Sequence, residues 1–350
     1  MELVVASGSP HPRGHRVGRA LPEQVARSVA AMHGACERAG MTRRELAAAL
    51  RPLVAAAERS LPARVAYVRG LADGADVPFD DVFAVNALEE VFREERGDRC
   101  SSLAVVSPAG TLLAHNEQWA TCELGNCAIV VERPSDGAPW VASPTVAACV
   151  PVVGVNAHGG AFGVDSLVAD DDGDGIPRVL AAREVLDARD PDDLLRRARL
   201  PGRAGGYGTV AAFAGGRVAV VEQSAATAEP VTGTTEHTNH YLHPQLAAIE
   251  PPPGPGSLSR LEHLQRLRAA LPAEPEPADL MRLLASHDAD PQAVCAHGPD
   301  PDDPDSTIIL YAFVADCDRG RLWVCEGPPC AGTFQEVDLA ELGLAAPARR

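Results

Sequence analysis

The sequence predicts a layered α+β domain, and three features of the apolar pattern predict it. Apolar residues recur at helical spacing from Pro22 to Leu61, short β-favouring runs follow Cys100, and helical spacing returns after Pro177. Strands grouped between helical segments are typical of sheets covered by helices. Nothing along the chain separates two independent cores, so we expect one domain spanning residues 1–350.

The first hundred residues are predicted to be mostly helical. Gly40 and Pro62 interrupt the helical spacing, which is carried by Val25, Val29, Met32, Leu46, Leu50 and Val54. A further helix is expected from Pro78 to Arg96. The charged run at residues 93–99 is predicted to be an exposed loop directly before Cys100.

After Cys100, turn residues separate short runs that favour strands. The predicted strands are Ser102–Val106, Gly110–Ala114, Ala128–Glu132, Val150–Val155, Gly160–Val164, Thr209–Ala214, Val218–Gln223, Thr307–Ala315 and Arg321–Glu326. Helices are predicted to return at Pro177–Ala188, Ser257–Ala270 and Ala278–Ser286.

The composition excludes several classes of function. The 48 acidic residues outnumber the 31 basic ones and give a net charge of -17, which repels nucleic acid and anionic membrane surfaces. The chain contains no lysine, so Schiff-base chemistry, a lysine-bound pyridoxal cofactor and a P-loop are excluded. We expect no cofactor. The arginine-rich, lysine-free amino-acid composition suggests a bacterial genome rich in G and C.

The cysteine usage indicates a reducing compartment. Nine cysteines in 350 residues are an odd number without the density of a disulfide scaffold. The amino terminus lacks a basic region followed by an apolar stretch of signal-peptide length, and no window approaches the length of a membrane span. We therefore expect a cytoplasmic protein.

Cys100 is the candidate nucleophile. A cysteine that starts a strand is by itself more typical of a small buried hydrophobe. Here, however, Cys100 follows an exposed charged segment, and two polar clusters lie downstream at His115–Trp119 and His237–Tyr241. The three features together indicate a catalytic site.

No metal site is predicted from the spacing of potential ligands. His237 and His240 form an i, i+3 pair without a third His or Cys ligand nearby in the sequence. Cys122 and Cys127 have no matching downstream pair. Cys330 follows a Gly-Pro-Pro turn and is expected to serve in packing.

Six ordered motifs carry a resemblance to one family. They are GSPHPRGHRVGRAL near the start, DRCSS at 98–102, HNEQW at 115–119, GIPRVLAAREVL at 175–186, HTNHYL at 237–242, and VCAH with GPPC near the end. With these motifs the chain resembles the acyl-coenzyme A:6-aminopenicillanic acid acyltransferase family, which also includes β-alanyl-amine hydrolases. The resemblance covers essentially the whole chain.

The resemblance implies a four-layer αββα N-terminal-nucleophile hydrolase fold and a precursor that cuts itself between Arg99 and Cys100. The products would be an α chain of residues 1–99 and a β chain of residues 100–350. A cysteine freed in this way carries its own base, because its α-amino group has a pKa near 8 and accepts the thiol proton. Asn239 matches the asparagine whose side-chain amide stabilises the oxyanion.

The two polar clusters, together with Asp165, supply the remaining candidate residues. Further catalytic candidates are Asn116, Glu117 and Gln118, and substrate-binding candidates are His115, Trp119, Asp165 and His240. The expected substrate is a small-molecule amide, a peptide or an acyl thioester. Either water or an amine is expected to take the acyl group from Cys100.

Three positions depart from the family pattern. Gln118 stands where the family often has aspartate, Ala296 where it often has arginine, and Arg99 where glycine is usual. We therefore hypothesise that Gln118 hydrogen-bonds near the Cys100 amine. The departures also leave open a non-processing, catalytically silent homologue that serves as a binding or scaffold protein. A conventional cysteine protease with a histidine partner is a third alternative.

Overall fold

Two β-sheets lie at the centre of the structure, a computed structural model that describes residues 1–92, 100–288, 293–297 and 306–344. The first sheet has the strand order β1-β4-β5-β6-β7-β8-β9-β10, and the second has the order β11-β2-β3-β12-β13-β14. The strands of the first sheet are β1 (Glu2–Gly8), β4 (Cys127–Pro134), β5 (Val141–Val146), β6 (Gly154–Asn156), β7 (Gly160–Ser166), β8 (Tyr207–Phe213), β9 (Arg217–Gln223) and β10 (Ala228–Val231). The strands of the second are β2 (Ser101–Ser107), β3 (Gly110–Ala120), β11 (Glu236–His237), β12 (Thr307–Asp316), β13 (Arg321–Glu326) and β14 (Gln335–Val337).

Six helices precede the second strand, and five more follow it in the described part of the chain. They are α1 (Pro10–Ala20), α2 (Pro22–Arg38), α3 (Arg43–Ser60), α4 (Pro62–Ala75), α5 (Phe79–Val85), α6 (Leu88–Val91), α7 (Arg178–Val185), α8 (Pro191–Ala198), α9 (Pro244–Ala247), α10 (Pro255–Ala269) and α11 (Pro277–Leu284). Of these helices in the described residues, none combines the length and the apolar character needed to span a bilayer.

The layers follow from the contacts between these elements. Strands β2 and β3 of the second sheet pack on β7 and β8 of the first. Helix α1 packs on β1 and β4, and α8 packs on β9 and β10, so helices cover the first sheet. Helices α10 and α11 pack on β2, β3, β11 and β12 of the second sheet. The α+β class and the four-layer αββα arrangement are therefore confirmed.

The prediction was least accurate where pairing is non-local or where proline interrupts the apolar pattern. Strand β1 was not predicted, because only its parallel pairing with the distant β4 stabilises it. A strand was predicted at Val150–Val155, but the structure has β5 at Val141–Val146, which includes Pro144, and β6 starting at Gly154. The helix predicted at Pro78–Arg96 is divided into α5 and α6, and its end lies outside the described residues.

Helices α1 and α4 are in close backbone contact through facing glycines. Gly14 and Gly18 of α1 lie against α4, where Gly70 and Gly74 lie against α1. A Cβ atom added at Gly14 would lie only 2.0 Å from the carbonyl oxygen of Tyr67. The family motif near the start thus serves helix packing, because a larger residue cannot be accommodated without separating the two helices.

A buried cluster of charges joins the first and fourth motifs. Arg13 Nε donates to Glu132 Oε2 at 2.9 Å, and Arg183 Nη1 donates to Asp187 Oδ1 at 2.5 Å. Arg64 Nη2 donates to the other Asp187 oxygen at 2.7 Å. Because each buried charge has an opposite partner, the cluster fixes how α1, α4 and α7 meet β4.

Candidate active site

Cys100 directly precedes β2, and both polar clusters flank it through strand pairing. The β2–β3 hairpin places Ser101 opposite Asn116, while β11 pairs with the other edge of β2 and places His237 opposite Ser102. Residues far apart in sequence therefore meet at the end of one strand. The Cys100 side chain is buried there, with about 5% of the residue exposed.

Asn239 holds the backbone nitrogen of Cys100. Its Oδ1 atom accepts from Cys100 N at 2.9 Å and from Arg260 Nη2 at 2.7 Å. Its Nδ2 atom donates to the carbonyl oxygen of Ser166 at 3.1 Å. Two donors on one side and an acceptor on the other fix the orientation of the amide. Ser257 Oγ further accepts from the Asn239 backbone N–H at 2.8 Å.

A chain of polar side chains leads from the Cys100 thiol into the space between the sheets. The thiol donates to Glu117 Oε1, 3.4 Å from Sγ. The other Glu117 oxygen lies 3.1 Å from His115 Nε2 and accepts from the Tyr311 hydroxyl at 3.4 Å. His115 Nδ1 in turn lies 2.9 Å from Ser102 Oγ. The group in hydrogen-bond contact with the thiol is thus the Glu117 carboxylate and not a histidine ring.

The environment of Cys100 disfavours the thiolate. Burial raises the pKa of the Cys100 thiol well above its usual value, and the nearby charges of Glu117 and Asp165 raise it further. Without an added positive charge, this thiol is a weak nucleophile at neutral pH. An α-amino group at Cys100 would supply such a charge and a base in the same place.

His237 forms a second buried polar group behind the site. Its Nδ1 lies 3.3 Å from Asp165 Oδ2 and its Nε2 lies 3.0 Å from Glu222 Oε1. Burial alone lowers the pKa of His237, but the hydrogen bonds to the two carboxylates outweigh burial and raise this pKa to about 9. Space for the ring depends on Gly208, where an added Cβ would lie 2.0 Å from His237 Cε1.

Cys100 opens onto a mainly apolar pocket. Glu117, Gln118 and Trp119 lie on the pocket wall beside Cys100. The rest of the wall is largely aliphatic and is formed by Val85, Leu88, Val146, Val150, Val152 and Val164. A pocket with this lining fits the apolar part of a small ligand.

One polar group interrupts the apolar wall. Glu89 lines the pocket and accepts hydrogen bonds from Ser166 Oγ and from the Tyr207 hydroxyl, the latter at 2.5 Å. Arg178, from the fourth motif, lies 3.7 Å from the Glu89 carboxylate. This group provides a polar anchor opposite the aliphatic side chains.

The predicted residues are not all in the pocket. Trp119 lies on its wall, as expected of a substrate-binding residue. Asp165 and His115 are completely buried, and His240 Nδ1 lies 2.7 Å from Ser257 Oγ. These three side chains therefore support residues around Cys100, which differs from the direct substrate contact expected for them.

Gln118 and Asn116 also differ from expectation. The Gln118 side-chain nitrogen donates to Thr307 Oγ1 at 2.8 Å, whereas the Cys100 nitrogen donates to Asn239. Gln118 contributes its backbone carbonyl oxygen, 3.9 Å from the Cys100 sulfur. Asn116 Nδ2 donates to two backbone carbonyl oxygens, those of Leu284 and Val294, at 3.0 Å each.

The two other departures and one new residue remain. Ala296 is half-buried between Cys295 and His297. Arg99, the expected cleavage position, lies outside the described residues. Arg260 on α10 was missed by sequence reasoning, although it is buried next to Cys100 and lies 3.5 Å from its carbonyl oxygen. The sequence signal that could have identified Arg260 is its helical spacing from Ser257 and Leu264, which places all three residues on the buried face of the helix.

A known protein family matches most of the chain beyond Cys100. The family model described as acyl-coenzyme A:6-aminopenicillanic acid acyl-transferase matches residues 105–330. No curated protein matches the chain. Among solved structures the chain is similar to penicillin V acylase from Agrobacterium tumefaciens, with 15% identity over 70% of this chain and 88% of that chain and a TM-score of 0.48. It is also similar to two variants of the conjugated bile acid hydrolase from Clostridium perfringens, with 10% and 11% identity, 70% of this chain and 94% of each of those chains covered, and a TM-score of 0.49 for each.

The matched segment contains both polar clusters and the pocket-wall residues that belong to β3 and β12. Cys100 lies just before it. Residues 105–330 make up more than half of the 350 residues. The chain therefore belongs to the acyl-coenzyme A:6-aminopenicillanic acid acyl-transferase family.

Proposed function

We propose that this protein is an N-terminal-cysteine amidohydrolase or acyltransferase that acts through an acyl group carried on Cys100. The observation that supports the proposal most is the position of Cys100, with its sulfur 3.4 Å from Glu117 Oε1 and its nitrogen 2.9 Å from Asn239 Oδ1. The proposed nucleophile and base thus lie on the wall of an apolar pocket, and the proposed amide donor contacts the Cys100 nitrogen beside it.

In the proposed self-cleavage, the Cys100 sulfur attacks the carbonyl carbon of Arg99 while Glu117 takes the thiol proton. The C–N bond between the two residues breaks, the proton passes to the departing nitrogen, and a thioester joins Arg99 to the cysteine sulfur. Water then hydrolyses the thioester and leaves a carboxylate on Arg99 and an amine on Cys100. The fragments 1–99 and 100–350 would stay together, because β1 pairs with β4 along seven residues.

In the proposed turnover, the freed Cys100 amine accepts the thiol proton and the sulfur attacks the carbonyl carbon of a substrate amide or thioester. The substrate C–N or C–S bond then breaks, the Cys100 ammonium gives the proton to the departing amine or thiol, and the acyl group stays on the sulfur as a thioester. Asn239 Nδ2 carries two hydrogens, one of which is donated to Ser166. The other would stabilise the oxyanion of the tetrahedral intermediate. Water as the acceptor gives hydrolysis, and an amine as the acceptor gives acyl transfer.

The pocket supports a substrate with an apolar acyl group. Its aliphatic wall suits a hydrocarbon or aromatic acyl chain, and the polar group around Glu89 suits a hydrogen-bond donor on the ligand. We propose a small-molecule amide, peptide or acyl thioester as the substrate.

The nine cysteines are all free thiols, which supports a reducing cytoplasm in a bacterial cell as the proposed location.

The alternative of a non-processing homologue that serves as a binding or scaffold protein is favoured by three residues. Arg99 lacks the conformational freedom of glycine before the proposed cut. Gln118 and Ala296 stand where the family often has aspartate and arginine. Such a protein would keep the pocket and its ligand but not cut its own chain.

Intact mass under denaturing conditions separates the two proposals. The enzyme is expected as two fragments, the larger beginning at Cys100, and the Cys100→Ala variant as one chain of 36.6 kDa. Cys149→Ala is a matched control, since this thiol is also buried on the pocket wall, and should be processed normally. A wild-type chain that stays at full mass would support the binding protein, unless it still turned over amides through Cys100 as a conventional cysteine protease.

A further inference from the structure

A second cluster of cysteine and histidine side chains lies outside the active site. His287, Cys295 and His297 follow α11, and Cys330 follows β13. One ligand atom from each of these four residues lies within 4.8 Å of every other. His297 Nε2 is 3.2 Å from Cys330 Sγ and 3.9 Å from Cys295 Sγ. The rings of His287 and His297 have their centroids 5.1 Å apart.

These distances are close to those of a tetrahedral zinc site. Zinc–sulfur bonds of about 2.3 Å and zinc–nitrogen bonds of about 2.0–2.1 Å place neighbouring ligand atoms about 3.3–3.8 Å apart in a tetrahedron. Two of the six distances between these ligand atoms, 3.2 Å and 3.9 Å, fall near this range. Two thiolates and two imidazoles are also the donor set that zinc prefers in structural sites.

The fold positions the ligands before any ion binds. The Cys295 backbone N–H donates to the carbonyl oxygen of Ser286 at 3.0 Å, which closes the loop between His287 and Cys295. The turn that carries Cys330 is held by the Gly327 N–H, which donates to Leu310 O of β12 at 2.8 Å. Preordered ligands reduce the entropy lost on metal binding.

The alternative uses of these residues fit less well. Cys330 was expected to serve in packing, but it is exposed, as are His287 and His297. Cysteines close to histidines in a reducing compartment are more typical of metal sites than of disulfides. Ligand spacing in the sequence gave no signal, because Cys330 is more than 30 residues from the other three.

We propose that His287, Cys295, His297 and Cys330 bind a structural zinc ion, contrary to the expectation that the chain has no metal site. The ion would join the loop after α11 to the turn after β13. That loop is also held by Asn116, which donates to Leu284 O and Val294 O from the strand that carries Glu117. Zinc would therefore stabilise the layer behind the active site without taking part in its chemistry.

The test measures zinc on purified full-length protein, reduced, stripped with a chelator and then titrated with zinc alone. We expect one zinc ion per chain, and on replacement by cobalt the absorption bands of tetrahedral Co²⁺ with thiolate ligands. The double variant Cys295→Ser/Cys330→Ser should lose both signals. Cys122→Ser should keep them, because Cys122 is also exposed but lies outside the cluster.

A third variant excludes the active site as the binding place, because Cys100, His115 and Glu117 also bring their ligand atoms within 4.8 Å of one another. Cys100→Ala should retain the zinc. Loss of zinc in Cys100→Ala, no binding to the reduced wild type, or full binding to the double variant would each overturn the proposal. If the double variant does not fold, His297→Ala serves in its place, with weaker zinc binding and an altered cobalt spectrum expected.

Discussion

Two substitutions of Asn239 separate its proposed role in catalysis from its role in holding Cys100. Asn239→Asp keeps an oxygen that accepts from the Cys100 nitrogen and from Arg260, but it removes the amide hydrogens. Asn239→Ala removes both roles. Comparison of the two variants therefore assigns the loss of activity to one side of the amide.

The magnitudes follow from the hydrogen bonds. Loss of one oxyanion donor typically raises the barrier by about 2.7–4 kcal/mol, so kcat should fall about 10²–10³-fold in both variants. Asn239→Ala also removes one hydrogen-bond partner from the buried Arg260 guanidinium and one from the Ser166 carbonyl oxygen. An unsatisfied buried group costs about 1–3 kcal/mol of folding free energy. Asn239→Asp keeps the contact with Arg260 but also loses the donor to Ser166, so it should be destabilised less than Asn239→Ala.

The assay is steady-state hydrolysis of a chromogenic N-acyl amide that the wild type turns over, with urea unfolding of each variant in parallel. We expect kcat to fall in both variants and stability to fall mainly in Asn239→Ala. Asn239→Asp with wild-type kcat would refute the donor role. A fall in kcat only in Asn239→Ala would show that Asn239 acts by positioning Cys100.

Three further predictions address the thiol, the helix packing and the buried histidine. Glu117→Gln removes a negative charge that raises the pKa of the Cys100 thiol. In a chain that is arrested before cleavage, the Cys100 thiol should therefore be alkylated faster at a fixed pH. Slower alkylation would contradict this. Gly14→Ala should destabilise the protein by several kcal/mol in urea unfolding, because its Cβ would lie 2.0 Å from a backbone atom of α4. The control Gly34→Ala should be neutral or stabilising, because its Cβ would meet only a flexible Arg side chain 3.3 Å away. Equal effects of the two substitutions would contradict the packing argument. The raised pKa of His237, about 9, means that its contribution to stability is complete below about pH 6.5 and is lost as the pH rises through about 9; a urea midpoint that does not fall between these pH values would contradict the buried ion cluster.

The layered fold could be predicted because it leaves local signals in the sequence, whereas Cys100 is proposed as the nucleophile from the order of the family motifs along the chain. The change from helical to strand spacing after Cys100 marks the start of the sheets. The polar clusters at His115–Trp119 and His237–Tyr241 are conspicuous because they occur among apolar strands. The structure places both beside Cys100 through the pairing of β3 and β11 with β2.

Roles within the clusters could not be read from the sequence, because they depend on which face of a strand a side chain occupies. Successive residues of β3 alternate, so His115 and Glu117 lie toward the first sheet while Asn116 lies toward α11. Arg260 and the cysteine–histidine cluster were missed because tertiary contacts alone bring their members together. Pairing between distant segments has no local pattern.

The most direct test of the central claim is the mass of the larger fragment before and after reaction with substrate. We expect this fragment to begin at Cys100 and, after rapid acid quenching during turnover of an N-acyl amide, to carry the acyl group on Cys100 as shown by peptide mapping. An unmodified Cys100 in an enzyme that turns over the same amide, together with wild-type activity of Cys100→Ala, would contradict the account.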